Sequence, residues 1–267
     1  MTKSTIFAAL LVCTVVAPVL AGPTGYSVRS NADQHLYAID MATGVATDLG
    51  LVDFIDAEGL AFVGDQLYAI GGSVPEFWNI TTPPGVLIGP TGPRSGVDAG
   101  LDYDTTQNKM YNLNSGSESS LYEINLATGA ATLVGSDPVF ADGLAIDGSG
   151  NAYAADWFDQ DSLYAVNLAN GDLTLIGPLG IGDADAQDGL SFDPASGVLY
   201  ALTSDGEIYT LNTGSGQATF VAQVTLGGDA IDSFEGLAIP VPEPSTLALA
   251  ALALLGLGFV ARRGRRS

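Results

Sequence analysis

The sequence predicts an all-β fold, because one motif of two alternating apolar runs joined by a turn recurs along the chain. Alternating runs rich in Tyr, Ile, Val and Leu are typical of half-buried strands. An Asp or Asn begins each turn, where its side chain can accept a backbone hydrogen bond, and a glycine closes most of them. The copies are LYAIDMATGVATDLG at 36–50, EFWNITTPPGVLIG at 76–89, LYEINLATGAATLVG at 121–135, LYAVNLANGDLTLIG at 163–177 and IYTLNTGSGQATFVA at 208–222.

A second motif, a short run that begins with Gly-Leu, recurs between these hairpins. Its glycines are Gly59, Gly100, Gly143, Gly189 and Gly236, which are separated by 41 to 47 residues. A further alternating run follows most of the copies, as in LYAI at 67–70 and LYAL at 199–202. Each unit therefore holds four strands in about 44 residues, which is the repeat length of a β-propeller blade.

The strand count predicts how the ring of blades closes. Three strands precede the first complete unit and a single strand follows the fourth. We therefore predict a five-bladed β-propeller over residues 22–240, in which residues 235–240 pair with residues 26–30 and hide both sheet edges. The Gly-Leu strand is expected innermost, because glycine suits backbones that crowd toward an axis, and the strand after the hairpin turn outermost. The alternatives are a β-sandwich with irregular hairpins and a β-helix, whose period is much shorter.

Residues 1–21 have the features of a secretory signal peptide. Lys3 gives a positive start, residues 6–16 are almost entirely apolar, and the small residues near Ala21 suit cleavage after that position. A retained membrane anchor is the alternative, although the apolar run is short for one. Cys13 is the one cysteine of the chain, so a mature protein would contain neither disulfides nor thiol chemistry.

Residues 241–267 differ in composition from the rest of the chain. A Pro-Glu-Pro triplet precedes 15 apolar or small residues at 247–261, and a cluster of four arginines follows. A helix of this length spans about 22 Å, which is less than the ~30 Å hydrocarbon core of a bilayer. Arginine marks the cytoplasmic side of a membrane. We therefore expect a short C-terminal hydrophobic helix that tethers a precursor to the inner membrane transiently.

These features resemble the PEP-CTERM sorting signal of Gram-negative bacteria. The matching residues are Pro242, Glu243, Pro244, Arg262 and Arg263, with the apolar run between them. The resemblance implies recognition by a membrane transpeptidase-like exosortase that cuts near the triplet. It also implies a destination at the cell surface or outside the cell, where such proteins commonly accompany exopolysaccharide production. Proteins with this signal share a tail and not a fold, so the resemblance implies no catalytic activity.

The segment between the two ends is strongly acidic. Of the 30 acidic residues in the chain only Glu243 lies outside residues 22–240, whose basic residues are Arg29, Arg94 and Lys109. This charge excludes nucleic acid and anionic membrane surfaces as partners, and it favours divalent cations or basic partners. The alternative is a solvated acidic surface that keeps an exported protein soluble.

Candidate catalytic groups are few. His35 is the one histidine, and we expect it to be an exposed turn residue and not a general base. No Gly-Lys-Ser phosphate loop is present. The acid-rich run that begins at Asp183 fails the EF-hand pattern, because Asp188 and Pro194 occupy its sixth and twelfth places.

The acids in front of the Gly-Leu strands are the candidate metal ligands. Glu58, Asp142, Asp188 and Glu235 precede their glycines directly, and in the remaining copy Asp98 stands one residue further back. Innermost strands would gather these acids at one mouth of the central channel, where carboxylate oxygens suit Ca²⁺ or Mg²⁺. In the alternative interpretation each acid accepts backbone hydrogen bonds from its own turn or from the next blade.

Two functions are compatible with these features. The first is an exported, non-enzymatic cell-surface or matrix protein that binds a glycan or another matrix component. Trp78 and Trp157 are candidates for stacking on a sugar ring. The second is a metal-dependent hydrolase or lactonase in which a channel cation polarises the substrate. The sorting signal favours the first function.

Overall fold

The computed structural model describes residues 22–30, 32–53, 56–72, 74–92, 98–156, 161–181 and 189–241. The predicted signal peptide at 1–21 lies outside these residues, as do Trp157, Asp188 and everything after Val241 in the predicted sorting tail. Within the described ranges every regular element is a strand. No helix in this part of the chain is long and apolar enough to cross a membrane.

The described residues form 22 strands. In chain order they are β1 (Thr24–Val28), β2 (His35–Asp40), β3 (Ala46–Leu51), β4 (Ala57–Val63), β5 (Gln66–Gly71), β6 (Glu76–Asn79), β7 (Val86–Pro90), β8 (Asp98–Asp104), β9 (Lys109–Ser115), β10 (Ser119–Ile124), β11 (Ala131–Asp137), β12 (Gly143–Ile146), β13 (Ala152–Asp156), β14 (Ser162–Val166), β15 (Leu173–Pro178), β16 (Gly189–Phe192), β17 (Leu199–Leu202), β18 (Glu207–Leu211), β19 (Ala218–Gln223), β20 (Thr225–Leu226), β21 (Asp229–Ala230) and β22 (Glu235–Ala238).

Twenty of these strands form five antiparallel sheets of four strands. We number the sheets as blades: blade 1 is β22-β1-β2-β3, and blades 2 to 5 are β4–β7, β8–β11, β12–β15 and β16–β19. The first strand of each blade contacts the first strand of the next, so β22, β4, β8, β12 and β16 surround a central axis. The predicted five-bladed propeller with four-stranded blades is confirmed.

The ring closes in blade 1, as the strand count predicts. Strand β22 pairs antiparallel with β1, with Ala238 opposite Tyr26 and Glu235 opposite Val28. The Ser27 hydroxyl donates a hydrogen bond of 3.1 Å to the carbonyl oxygen of Glu235. All of these closing interactions lie within residues 22–241, so this segment contains a complete ring with its own core.

A second connection at the closure has no counterpart in the repeat. Strands β20 and β21 form a small hairpin between blade 5 and the closing strand, and Thr225 forms a parallel bridge with Val45 in blade 1. Val224 and Phe234, which flank this hairpin, are fully buried against Met41 and other core residues of blade 1. The hairpin therefore fastens blade 5 to the outer part of blade 1.

Crowding at the axis explains why the innermost strands need glycine. A side chain at Gly100 would overlap the carbonyl oxygen of Asp142, which directly precedes the next inner strand. Gly236 has a φ of +63°, and its α-carbon faces the carbonyl oxygen of Glu58, which a Cβ atom would approach to 2.6 Å. Both positions therefore exclude larger residues, as expected for the innermost strands.

The hairpin turns have the predicted chemistry in four blades. In each of these turns the side-chain oxygen of the first residue accepts a hydrogen bond of 2.9 or 3.0 Å from the backbone N–H two residues further along. The accepting residues are Asp40, Asn125, Asn167 and Asn212. The glycines that close these turns have φ angles of 73° to 83°, at Gly44, Gly129, Gly171 and Gly216. In blade 2 Asn79 accepts from Thr81 in the same way, at 3.0 Å.

Each turn also packs on the preceding blade. Gly171 in the blade 4 turn lies against Gly135 in β11, and a side chain at Gly135 would overlap the carbonyl oxygen of Asn170. The contact coincides with a one-residue bulge, because Leu121 is opposite Gly135 whereas Tyr122 is opposite Leu133. Equivalent contacts join Gly89 to the blade 3 turn and Gly177 to the blade 5 turn. The glycine in the outer strand is therefore a contact point between blades.

Candidate functional site

The predicted acids gather where the inner strands begin. Glu58, Asp98 and Glu235 lie within the first two residues of their strands, and Asp142 directly precedes β12. Glu58, Asp142 and Glu235 are 7%, 4% and 2% exposed, which is rare for carboxyl groups. We call these four residues the acidic mouth. Asp188, the remaining predicted ligand, lies outside the described residues.

Glu58 and Glu235 are in direct contact. Their carboxyl groups are hydrogen-bonded to each other, and the pKa of Glu58 is raised far above the ordinary range. Burial is the main cause, followed by the charges of Glu235, Asp98 and Asp56. A hydrogen bond between two carboxyl groups requires a proton on one of them. The pair therefore carries a shared proton near neutral pH.

Asp142 and Asp98 form the other half of the acidic mouth. Burial and then the charge of Asp98 raise the pKa of Asp142, although its carboxylate accepts the N–H of Gly143 at 2.9 Å. Burial also raises the pKa of Asp98, and the nearby charge of Asp56 adds to this effect. The pKa values of Glu58, Asp98 and Asp142 are thus all raised, which favours the neutral forms of these carboxyl groups.

One buried acid of this region was not predicted. Asp156, at the end of β13, is 1% exposed and its charge adds to the raised pKa of Asp142. Gly143 is opposite Ala155 in the β12–β13 pair, so the residue after Ala155 lies beside the residue before Gly143. Only the register of the pair reveals this neighbour, because the two acids are distant in the sequence.

The alternative role for acids, hydrogen bonding within a turn, belongs mainly to another set of residues. Asp104 ends its inner strand and Asp147 and Asp193 directly follow theirs, and each accepts backbone N–H groups of its own turn. These acids lie at the opposite end of the inner strands from the acidic mouth. The two ends of the channel therefore use carboxyl groups differently.

The acidic mouth has the chemistry of a hard-cation site. Its donors are carboxylate oxygens, which Ca²⁺ and Mg²⁺ prefer. Asn114 is fully buried beside it, donating from Nδ2 to the carbonyl of Asp98 at 2.7 Å, and its Oδ1 has no hydrogen-bond partner in the described part of the chain. No three or more His, Cys, Asp or Glu side chains among the described residues are arranged as a metal-binding group. The carboxyl groups of the acidic mouth thus fit a hard cation in their chemistry.

The other candidate residues have structural partners. His35 is the first residue of β2 and not a turn residue, and its Nδ1 lies 2.9 Å from the Asp48 carboxylate. Trp78 is partly buried in β6, packs on the core between blades 1 and 2, and donates from Nε1 to Glu76 at 3.0 Å. Trp78 is therefore held in place by its core packing and its bond to Glu76, and His35 is held by the Asp48 carboxylate.

Comparison with known proteins identifies the tail and supports the fold. Residues 240–266 match the PEP-CTERM protein-sorting motif, so the chain carries this motif. No curated protein matches the sequence. A chain in the crystal structure of a nidogen/laminin complex is similar with a TM-score of 0.53 and 13% identity, over 83% of this chain and 86% of that one. A protein provisionally described as a gluconolactonase is similar with a TM-score of 0.50 and 13% identity, over 75% and 78% of the two chains. At such identities the similarity concerns the fold alone.

Proposed function

We propose that the chain is an exported, non-enzymatic binding protein that acts at the cell surface or in the extracellular matrix. The observation that carries the proposal is the PEP-CTERM motif at residues 240–266, which implies processing by an exosortase. Before processing, the short apolar run at 247–261 holds the precursor at the inner membrane. After processing, the propeller is the functional part, and its ligand is a glycan or another matrix component.

Removal of the tail is compatible with a stable propeller. The last strand ends at Ala238 and pairs with β1, so the closing interactions that the structure describes all precede Pro242. A cut near Pro244 therefore leaves the ring intact. Strands β1 and β22 are neighbours in blade 1, so the first and last strands of the propeller lie side by side.

Within this function we propose that the acidic mouth, together with Asp188, binds Ca²⁺. Burial of several carboxyl groups in one place is costly unless positive charge accompanies them. The proton shared by Glu58 and Glu235 supplies one such charge. A divalent cation would take its place and could bridge the protein to an anionic polysaccharide.

A metal-dependent hydrolase or lactonase is the second candidate. The acidic mouth favours it, because a cation bound there with an open coordination position could polarise a substrate carbonyl. The similarity to a protein provisionally described as a gluconolactonase concerns the fold alone, so it is no evidence for this activity. Turnover of lactones by residues 22–241 with Ca²⁺ would select this candidate over a binding protein.

A glycan array tests the binding function most directly. Residues 22–241 should bind a restricted set of glycans, and calcium should strengthen the binding if the acidic mouth takes part. Binding to no glycan, together with lactone turnover, would reject the proposal in favour of the enzyme.

Thermal unfolding in EDTA and in millimolar calcium tests the cation separately. Calcium should raise the Tm by mass action, and a Glu58→Gln, Asp142→Asn double variant should lose most of that rise. Asp229→Asn changes one exposed acid in the β20–β21 hairpin and serves as the control. An unchanged Tm in calcium would reject the cation and leave the shared proton as the charge that accompanies the buried acids.

A further inference from the structure

The opposite end of the channel holds a cavity of about 190 Å³ to which every blade contributes. It lies where the inner strands end, and it is separate from the acidic mouth at their beginning. Three aromatic residues and two aliphatic residues form much of its lining: Phe62, Tyr103, Phe192, Ile146 and Ile239. Ile146, Phe192 and Ile239 are largely buried, so the cavity continues the core into the mouth of the channel.

The carboxylate of Asp102 also lines this largely apolar cavity. Asp102 accepts the N–H of Tyr103 at 2.7 Å on one oxygen and the N–H of Ile146, in the next blade, at 2.6 Å on the other. A carboxylate oxygen can accept more than one hydrogen bond, so the group can serve a ligand as well. Asp147 also lines the cavity, but its carboxylate accepts from Ser149 and Asn151 within its own turn.

The fold does not require a carboxylate at this position. The equivalent residues of the other inner strands are Ala61, Ala145, Ser191 and Ala238. The hydroxyl of Ser191 accepts the N–H of Ile239 at 3.0 Å, which is the same bond between neighbouring blades. Serine or alanine therefore suffices for the ring, whereas Asp102 places a charge where burial raises its pKa to about 7. The bond between blades therefore does not account for a carboxylate at this position, and a buried carboxylate with a raised pKa in a cavity is a candidate binding group.

We propose that this cavity binds a compact organic cation, an ammonium group held between the Asp102 carboxylate and the rings of Phe62, Tyr103 and Phe192. Aromatic faces attract ammonium groups through their quadrupoles, and a carboxylate adds a charge-assisted contact. The small volume suits a group of few atoms better than a sugar chain. The proposal concerns the end of the channel away from the acidic mouth and stands whether or not calcium binds there.

The charge of the protein supports a cationic ligand. The chain has a formal net charge of −22, so small cations are attracted to its surface. The two described basic side chains are engaged elsewhere, Arg29 with Asp33 and Asp232, and Lys109 with Glu123. Neither lies in the lining of the cavity.

Calorimetric titration of residues 22–241 with choline and with 3,3-dimethylbutan-1-ol tests the proposal. The two molecules have nearly the same shape, but only choline is charged. We expect choline to bind at least about tenfold more tightly than the alcohol, because the alcohol forms neither the cation–π nor the charge-assisted contact. Butylammonium, which imitates a lysine side chain, distinguishes a primary from a quaternary ammonium ligand.

Asp102→Ser is the matched variant, because Ser191 shows that serine maintains the bond between blades. It should weaken choline binding about tenfold or more and leave the alcohol unaffected. Tyr103→Leu should weaken choline binding while retaining the carboxylate. Asp229→Asn removes the charge of an exposed acid that does not line the cavity, so choline affinity should stay the same.

Three results would overturn the proposal. Equal affinity for choline and the alcohol would mean an apolar cavity without charge recognition. No binding of either ammonium compound at millimolar concentration would mean that the cavity is not a cation site. Unchanged choline affinity in Asp102→Ser would remove the carboxylate from the site. If Asp102→Ser does not fold, the wild-type comparison and Tyr103→Leu decide the question.

Discussion

Glu58 of blade 2 and Glu235 of blade 1 are hydrogen-bonded to each other through their carboxyl groups at one mouth of the central channel. The contact exists only in the closed ring, because β22 brings Glu235 beside β4 when it completes blade 1. Closure of the propeller thus creates a buried acidic pair that holds a proton. The stability of the ring is therefore linked to pH through this pair.

The pH dependence of stability follows from the direction of this shift. Burial, followed by the neighbouring charges, raises the pKa of Glu58 from 4.5 to about 10. The folded protein binds the proton more tightly than the unfolded chain, so this contribution is fully present below pH 4.5 and is lost as the pH rises toward 10. Each pH unit in this window should lower the free energy of unfolding by up to about 1.4 kcal/mol. Denaturant unfolding in EDTA between pH 5 and pH 9 measures the slope.

Glu58→Gln identifies the origin of the slope. Glutamine can donate to Glu235 at every pH, so the variant should be more stable than the wild type at pH 9 and should show a flatter profile. Asp229→Asn changes an exposed acid and should retain the wild-type slope. A wild-type protein that gains stability from pH 5 to pH 9 would contradict the shared proton.

Gly135 tests the contact between blades. A methyl group at this position would overlap the carbonyl oxygen of Asn170 in the next blade, so Gly135→Ala should destabilise the protein by about 2–4 kcal/mol. Gly148 is the matched control, because a Cβ atom there would meet nothing within 4 Å. Gly148→Ala should change the stability by no more than about 0.5 kcal/mol. Equal effects of the two substitutions on the Tm would show that the blades do not meet at Gly135.

The closing strand should be essential for folding, whereas the tail after it should not. A chain that ends at Ser233 loses β22 with the buried side chains of Leu237 and Ile239, and it exposes the edge of β1. These losses approach the whole stability of a domain, so cooperative unfolding should disappear. A chain that ends at Val241 should unfold at the wild-type temperature. Cooperative unfolding of the shorter chain would mean that the ring closes by other means.

The repeat made the fold predictable from the sequence. Asn125 and Gly129 carry the turn chemistry in their own side chain and backbone, and the copies of this turn fix the blade spacing. The pairing of strand β22 was predictable because the first blade has only three strands at the N-terminal end of the repeat, and one strand remains after the fourth complete unit. The β20–β21 hairpin was not predictable, because it occurs once and its runs are two residues long.

The chemistry of the two channel mouths was only partly predictable. Glu58 and Glu235 stood out because they share a repeat position, but the burial that makes them share a proton depends on the closed ring. The position of Asp156 beside Asp142 could be recognised only from the register of the β12–β13 pair. Asp102 differs visibly from the alanines and serine of the other copies, yet its bond to Ile146 joins two blades and has no signal in either strand alone.

Export followed by removal of both ends is tested most directly by intact-mass analysis of the native protein from its host. The mature protein should begin at Gly22, end near Pro244, and be recovered from the cell surface or the medium. A mass that still includes Arg262 to Arg266, in protein recovered with the inner membrane, would contradict this expectation and make the tail a permanent anchor.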